Sequence, residues 1–307
     1  MVKSKNRKLF LRKVISRAEY ILKNNDVNKA PYSIINYVIL HYYVKALKLT
    51  KGIVALCKEK LGSDAQILFR SLFELGCYCE YINIDSGDIK RAENCIAMSY
   101  MEDKRTEDDI DKYGSVNVDR MSIPLEEKKA LEYKIDKQRE IRSINYESII
   151  ETLRKRNPQY KNLSANSIID KERLTLRRAI NEINEIFNKE TKEKNAFWRY
   201  YISAFRGCSE SVHSTDFDKN VKIENGKLEY CLDAGENVIS TIQDASATFL
   251  LRIMDIASSI LQFTEDNTIK DLSNQFKILR EKDDPVEPGG ASRFLQRNPE
   301  TSPGFKE

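Results

Sequence analysis

The chain is predicted to be mainly α-helical, and three observations carry that expectation. Only seven prolines and eleven glycines interrupt its 307 residues. Apolar residues recur at three- and four-residue spacing over long stretches, the period of a helix with one buried face. A single short region, residues 221–230, alternates with the two-residue period of strands. A composition of 41% hydrophobic and 32% charged residues describes a soluble globular protein rich in solvated helix faces. The length allows one large domain or two small ones, with ample core for independent folding.

Residues 1–30 are expected to hold a basic amphipathic helix, ending near Asn24-Asn25. Residues 31–282 form the main helical domain. After Pro31 a long helix runs over about 33–61 and stops at Gly62. Ser63 then caps the next helix, with Gln66 three residues on as a capping box, and that helix continues to about Ile84. A helix near 87–105 leads into the acidic stretch Glu107, Asp108, Asp109, Asp111, which reads as a loop. Pro124 opens a highly charged helix to about Arg142, and another covers 146–156 before Asn157-Pro158 breaks it. Residues 107–170 therefore read as a charged helical insertion.

Helices resume over about 171–189 and 193–214. Between residues 220 and 231, two alternating segments flank Asn225-Gly226, a type I′ β-hairpin signal. A strongly apolar helix follows over about 236–263, and a shorter one to about 282. The tail 283–307 holds four prolines and Gly289-Gly290 with little periodicity, and is expected to be disordered.

The net charge of +4 is small, but its distribution is uneven. Lys3, Lys5, Arg7, Lys8, Arg12, Lys13, Arg17 and Lys23 in the first helix are opposed only by Glu19. Arg154, Lys155, Arg156 and Lys161 form a second cluster. Two readings fit: solvated helix faces, or a footprint for RNA or another polyanion. No uninterrupted apolar stretch is long enough to span a membrane. The six cysteines mostly occupy apolar helical positions, so reduced core thiols and a cytoplasmic location are expected, without a membrane partner.

The segment Trp198-Arg-Tyr-Tyr-Ile-Ser-Ala-Phe-Arg206-Gly-Cys-Ser-Glu-Ser-Val-His213 holds one of only two histidines in the chain. Arg206 and His213 lie seven residues apart. On a helix this puts both side chains on one face, roughly 10 Å apart along the axis. Phe197, Tyr201, Ala204, Phe205, Cys208 and Val212 form the apolar stripe of that helix, and the pair lies beside it, as at a cleft or interface edge. An imidazole titrating near neutral pH can move a proton while a permanently charged guanidinium holds a phosphate, which suits phosphodiester chemistry.

The helix over 67–81 is expected to bury Ile67, Leu68, Leu72, Leu75 and Cys79. Arg70 and Glu74, four residues apart on another face, can pair. That pair reads either as an ordinary surface contact or as a semi-buried one orienting the Arg206/His213 helix. His41, within Val38-Ile-Leu-His-Tyr-Tyr-Val44, reads as a satisfied core or interface histidine. Glu210-x-x-His213 matches half of a di-iron motif, but position 38 is valine, so no second half exists and no metal is expected. A triad from Ser209 or Ser211 with His213 and Asp216 lacks a nucleophile elbow. No phosphate-cradling glycine loop is present, and no cofactor is expected.

Ala65-Gln-Ile-Leu-Phe-Arg70-Ser-Leu-Phe-Glu74, taken with Tyr200-Tyr-Ile-Ser-Ala-Phe-Arg206 and Ser211-Val-His213-Ser214, resembles a bacterial helical domain family. In that family an Arg-Ser-Leu-x-Glu helix precedes a Ser-x-x-Val-His helix. The second segment is also similar to HEPN domains, whose Arg-x4-6-His motif marks metal-independent ribonucleases of toxin–antitoxin and phage-defence systems. The matched segments and their helices cover about 33–84 and 193–265. The resemblance implies a HEPN-like helical bundle in which Arg206 and His213, and no other residues, are assigned as catalytic; Arg70, Glu74, Ser209 and Ser214 are read beside it as supporting residues. It further implies an RNA substrate and a homodimer, with an antitoxin or other defence-system protein as a possible partner. This chain departs from the HEPN pattern at Gly207, where a polar residue is usual. A different class stays open: a non-catalytic helical interaction or sensor module, in which Arg206 and His213 join a helix–helix hydrogen-bond network.

Overall fold

A computed structural model describes residues 2–25, 33–96, 124–127, 129, 133, 147–148, 150–172, 174–191, 221–224, 227–230, 236–263 and 266–283. The chain is mainly helical. In order, its longer elements are α1 (Val2–Asn24), α2 (Ile34–Lys58), α3 (Gly62–Asn83), α4 (Ala165–Glu172), α5 (Leu176–Thr191), β1 (Val221–Glu224), β2 (Lys227–Tyr230), α6 (Glu236–Leu261) and α7 (Asp266–Asp283). Two compact units divide them: Met1–Ile89 with Leu176–Glu307, and Lys90–Thr175.

In the first unit, α2, α3 and α6 pack against one another, α1 lies along α2 and α6, and α5 packs on α3. The centre of the packing is aromatic. Phe69 and Phe73 of α3 meet Phe249 of α6 edge-on, with ring centroids 5.9 and 5.2 Å apart. Gly76 makes that approach possible, because a Cβ there would stand 2.5 Å from Cδ1 of Phe249. Burying Phe73 and Phe249, neither of which is exposed, contributes about 1.5–3 kcal/mol each. A second aromatic contact stacks Phe10 of α1 on Phe276 of α7 at 5.1 Å. The Tyr43 hydroxyl, fully buried, donates to the Ala18 carbonyl at 3.0 Å and so ties α2 to α1.

The buried stripe of α3 differs in phase from the one expected. Leu72, Leu75 and Cys79 are buried, but Ile67 is exposed, and Ala65, Phe69, Phe73 and Gly76 complete the inner face. Aromatic rings at 69 and 73 outweigh the aliphatic run at 67–68 because they bury more area per residue.

The junction of α2 and α3 also differs. Ser33 caps α2, accepting from the Asn36 N–H at 3.0 Å. At the other end Lys60, at φ 60°, occupies the left-handed position that closes the helix. Leu61 N–H donates to Leu56 O and Lys60 N–H to Cys57 O, the paired bonds of a Schellman turn. Gly62 is thus not the stop signal. It opens α3, whose cap is Leu61 with no side-chain bond, so the Ser63/Gln66 capping box is not used. Helix α6 ends in the same way, with Gln262 at φ 55° and Phe263 N–H bonded to Ser258 O. Phe263 then turns its ring toward Tyr43, at 6.4 Å.

Strands β1 and β2 pair antiparallel, Val221 opposite Tyr230 and Glu224 opposite Lys227. The joining residues Asn225 and Gly226 lie outside the described residues, as do residue 192 to residue 220 and the tail from residue 284.

The second unit holds a small core of Ile150, Leu153, Tyr160, Ile168 and Ile169. A helix over 150–156 breaks at Asn157, which is extended before Pro158 as a residue preceding proline tends to be. One 3-10 turn, Pro158–Tyr160, leads to α4, a helix absent from the sequence-based expectation. Ser164 caps it, accepting from Ser167 N–H at 3.2 Å. Tyr160 donates to the buried Glu172 carboxylate at 2.6 Å, fastening the turn to the end of α4. The charged helix expected from Pro124 is described only at residues 125–127, 129 and 133, all helical.

Candidate functional site

Arg206, His213, Ser209 and Ser214 lie outside the described residues. The described residues that bear on the site are those of α2, α3 and α6, helices that belong to the segments carrying the resemblance.

Arg70 and Glu74 come together as the i, i+4 spacing on α3 requires. Nε of Arg70 stands 3.6 Å from Oε1 of Glu74, with both side chains partly covered. Burial pushes the Glu74 carboxyl above its ordinary range, against the opposing pull of Arg70 and, more weakly, of Lys45. Desolvation therefore outweighs the ion pair at this position.

His41 is exposed on α2, not in the core. Its position follows from α2's phase, since Ile39, Tyr43, Ala46 and Thr50 face inward and turn 41 outward. Partial burial, then the charges of Lys45 and Lys48, hold its imidazole below the ordinary value. At neutral pH the ring is an uncharged donor and acceptor beside two ammonium groups.

The largest electrostatic feature among the described residues is one that sequence reasoning missed. Arg252 of α6 and Glu80 of α3, at 6% and 1% side-chain exposure, form a buried two-pronged ion pair. Nε of Arg252 donates to Oε1 of Glu80, and Nη2 to Oε2 at 3.2 Å. Nη1 donates to Oδ2 of Asp255 at 2.6 Å, one turn further along α6. The two carboxylates hold the guanidinium firmly charged despite its burial. A signal for this was present. Glu80 sits alone in Gly76-Cys-Tyr-Cys-Glu80-Tyr-Ile82 and Arg252 alone in Thr248-Phe-Leu-Leu-Arg252-Ile-Met254. Opposite charges isolated in two apolar runs must find each other, because neither is tolerable alone in a core.

Among the described residues, Cys57 and Cys77 do not offer nucleophilic thiols. Burial pushes the Cys57 thiol up to about 11 and the Cys77 thiol well above its ordinary value, the latter helped by the charges of Glu80 and Glu74. Such thiols stay protonated and inert at neutral pH. Cys57, Cys77, Cys79 and Cys95 are all buried. Among the described residues, no group of three His, Cys, Asp or Glu side chains is placed to hold a metal ion. No described helix is long and apolar enough to cross a membrane.

Residues 36–228 match a family of unknown function (DUF5677), so the chain belongs to that family. No curated protein and no solved structure matches the chain.

Proposed function

We propose that this member of the DUF5677 family is a HEPN-like, metal-independent endoribonuclease, acting as an effector in a bacterial defence or toxin system. The observation that carries the reading is the Arg206/His213 pair, seven residues apart in a segment with helical periodicity. The chemistry uses the RNA's own 2′-hydroxyl as nucleophile. As the O2′–P bond forms and the P–O5′ bond breaks, one imidazole takes the 2′-hydroxyl proton and another gives a proton to the departing O5′. Arg206 offsets charge on the pentavalent phosphorus with two forked N–H donors. The products are a 2′,3′-cyclic phosphate and a 5′-hydroxyl. One chain supplies one such histidine, so the reading requires a homodimer that sets two motifs across one cleft.

A second reading is a non-catalytic helical interaction or sensor module. It is favoured by the Glu80–Arg252 pair, in which this bundle already uses ionic side chains to join two helices. In that case Arg206 and His213 would do the same.

Incubating the purified full chain with mixed RNA in EDTA separates the two. The ribonuclease cleaves, loses cleavage on His213→Ala, and loses most of it on Arg206→Lys despite the retained charge. General acid–base catalysis typically supplies about 10²–10⁴-fold, enough for its loss to be plain. An inactive wild type whose melting temperature falls on His213→Ala supports the module.

A further inference from the structure

We propose that the outward face of α2, carrying Tyr37, His41, Lys45, Lys48 and Lys51, is a docking surface for single-stranded RNA. The proposal rests on the reading of an RNA substrate and says where, outside the catalytic pair, the strand is held.

All five side chains are exposed, while Ile39, Tyr43, Ala46, Thr50 and Ile53 turn inward. Steps of three or four residues from Tyr37 to Lys51 draw a nearly straight line along the helix, roughly 20 Å long. Charge along this line is one-sided. Lys45 and Lys48 make no ion pair among the described residues, and both act on His41. Lys51 bonds Glu19 of α1, yet Lys23 also bears on that carboxylate. At the α3 border, Arg70 meets Glu74, which also feels Lys45. Among the described residues, Lys23, Lys45, Lys48 and Lys51 thus border this face with Glu19 and, through Lys45, Glu74.

Aromatic residues stand in the same line. Tyr37 is 56% exposed although the hydrophobic effect favours covering its ring, and His41, also exposed, lies one turn away. A positive track punctuated by exposed aromatic residues is the arrangement that holds single strands, phosphates on the lysines and bases on the rings. An anionic membrane surface would meet the same lysines and seat Tyr37 as well, so vesicles form the competing arm of the test.

The test uses the full chain and a short fluorescent single-stranded 2′-O-methyl RNA, which lacks the nucleophile and stays intact. Binding is followed by anisotropy across a salt series. Lys45→Gln with Lys48→Gln should weaken binding and reduce the salt slope by about 1.4, the value for two lost phosphate contacts on a single strand. Lys129→Gln with Lys171→Gln removes the same charge from exposed sites of the second unit, outside both basic clusters, and should leave the slope unchanged. Tyr37→Ala should weaken binding at least about fivefold with the slope intact, the mark of lost stacking. Equal losses from both lysine pairs, no loss from the α2 pair, or wild-type binding to phosphatidylserine vesicles but not to the RNA would each overturn the proposal. Ordinary RNA run beside the probe separates the two ideas. Binding without cleavage counts against the ribonuclease alone, and cleavage indifferent to the α2 variants counts against this face alone.

Discussion

Replacing Arg252 with methionine removes the cation that holds α3 to α6 while keeping a long apolar side chain in the same space. Three hydrogen bonds are lost, two to Glu80 and one to Asp255. What decides the cost is the carboxylate left behind. Glu80 is 1% exposed and cannot recover its hydration where it stands. Breaking a buried pair in this way typically costs about 3–5 kcal/mol. Asp255, 30% exposed at its side chain, retains solvent and adds little. A domain holds only about 5–15 kcal/mol in total, so Arg252→Met should bring the unit close to unfolding. Urea melts followed by circular dichroism should show the midpoint falling by about 1.5–2.5 M at a mid-range slope of about 2 kcal/mol per molar. Glu80→Met added to Arg252→Met should restore most of the loss, because the neighbours Cys77, Cys79, Leu251 and Ile253 are apolar and fully buried. A cost below about 1 kcal/mol for Arg252→Met, the scale of an exposed pair, would refute the reasoning. So would a double variant no better than the single one.

Three further outcomes follow from the same packing. Gly76→Ala forces a methyl into the buried Phe249 ring, and overpacking of about 1–3 kcal/mol should exceed the helix-propensity gain of about 1 kcal/mol, lowering the urea midpoint. Lys60→Gly relieves a left-handed lysine and should raise thermal stability by about 0.5–1 kcal/mol, whereas Lys60→Ala should not. Glu74 has a raised folded-state pKa, so its protonated form favours the folded chain. The stability it gives is full below the unfolded value of 4.5 and is lost as pH rises through the folded value. Glu74→Gln should therefore gain on the wild type as pH is raised from below 4.5 to 7, measured by paired urea melts. A gain that shrinks with rising pH would show that the Arg70 ion pair outweighs burial.

Much of the first unit was legible because long helices announce themselves through apolar period. Residues 33–61 and 63–84 were placed within a few residues of α2 and α3. Their junction was misread because glycine is the usual left-handed residue, while here Lys60 takes that role and Gly62 begins the next helix. The inner face of α3 was read from aliphatics, and Phe69 and Phe73 shifted it. Helix α4 was missed because Ala165–Glu172 offers only Ile168 and Ile169 as apolar markers, too few to establish a period. The apolar runs around Glu80 and Arg252 mark each charge as needing a partner, but that the two, 172 positions apart, meet each other is set by how α3 packs on α6. Its apolar neighbours point His41 to a core or an interface; helical phase turns it outward beside Lys45 and Lys48, which excludes the core and is compatible with an interface. Arg206 and His213 remain a reading of sequence spacing and resemblance.

The most direct test of the central claim is the chemical nature of the ends. A defined oligoribonucleotide incubated in EDTA with the full chain, then weighed by mass spectrometry, should yield upstream fragments lighter by one water than linear phosphates, the mark of a 2′,3′-cyclic phosphate. Replacing the 2′-hydroxyl by hydrogen at the cleaved nucleotide should block cleavage there, and His213→Ala should yield no fragments. Cleavage that persists at the 2′-deoxy position, or that survives His213→Ala, would contradict the account.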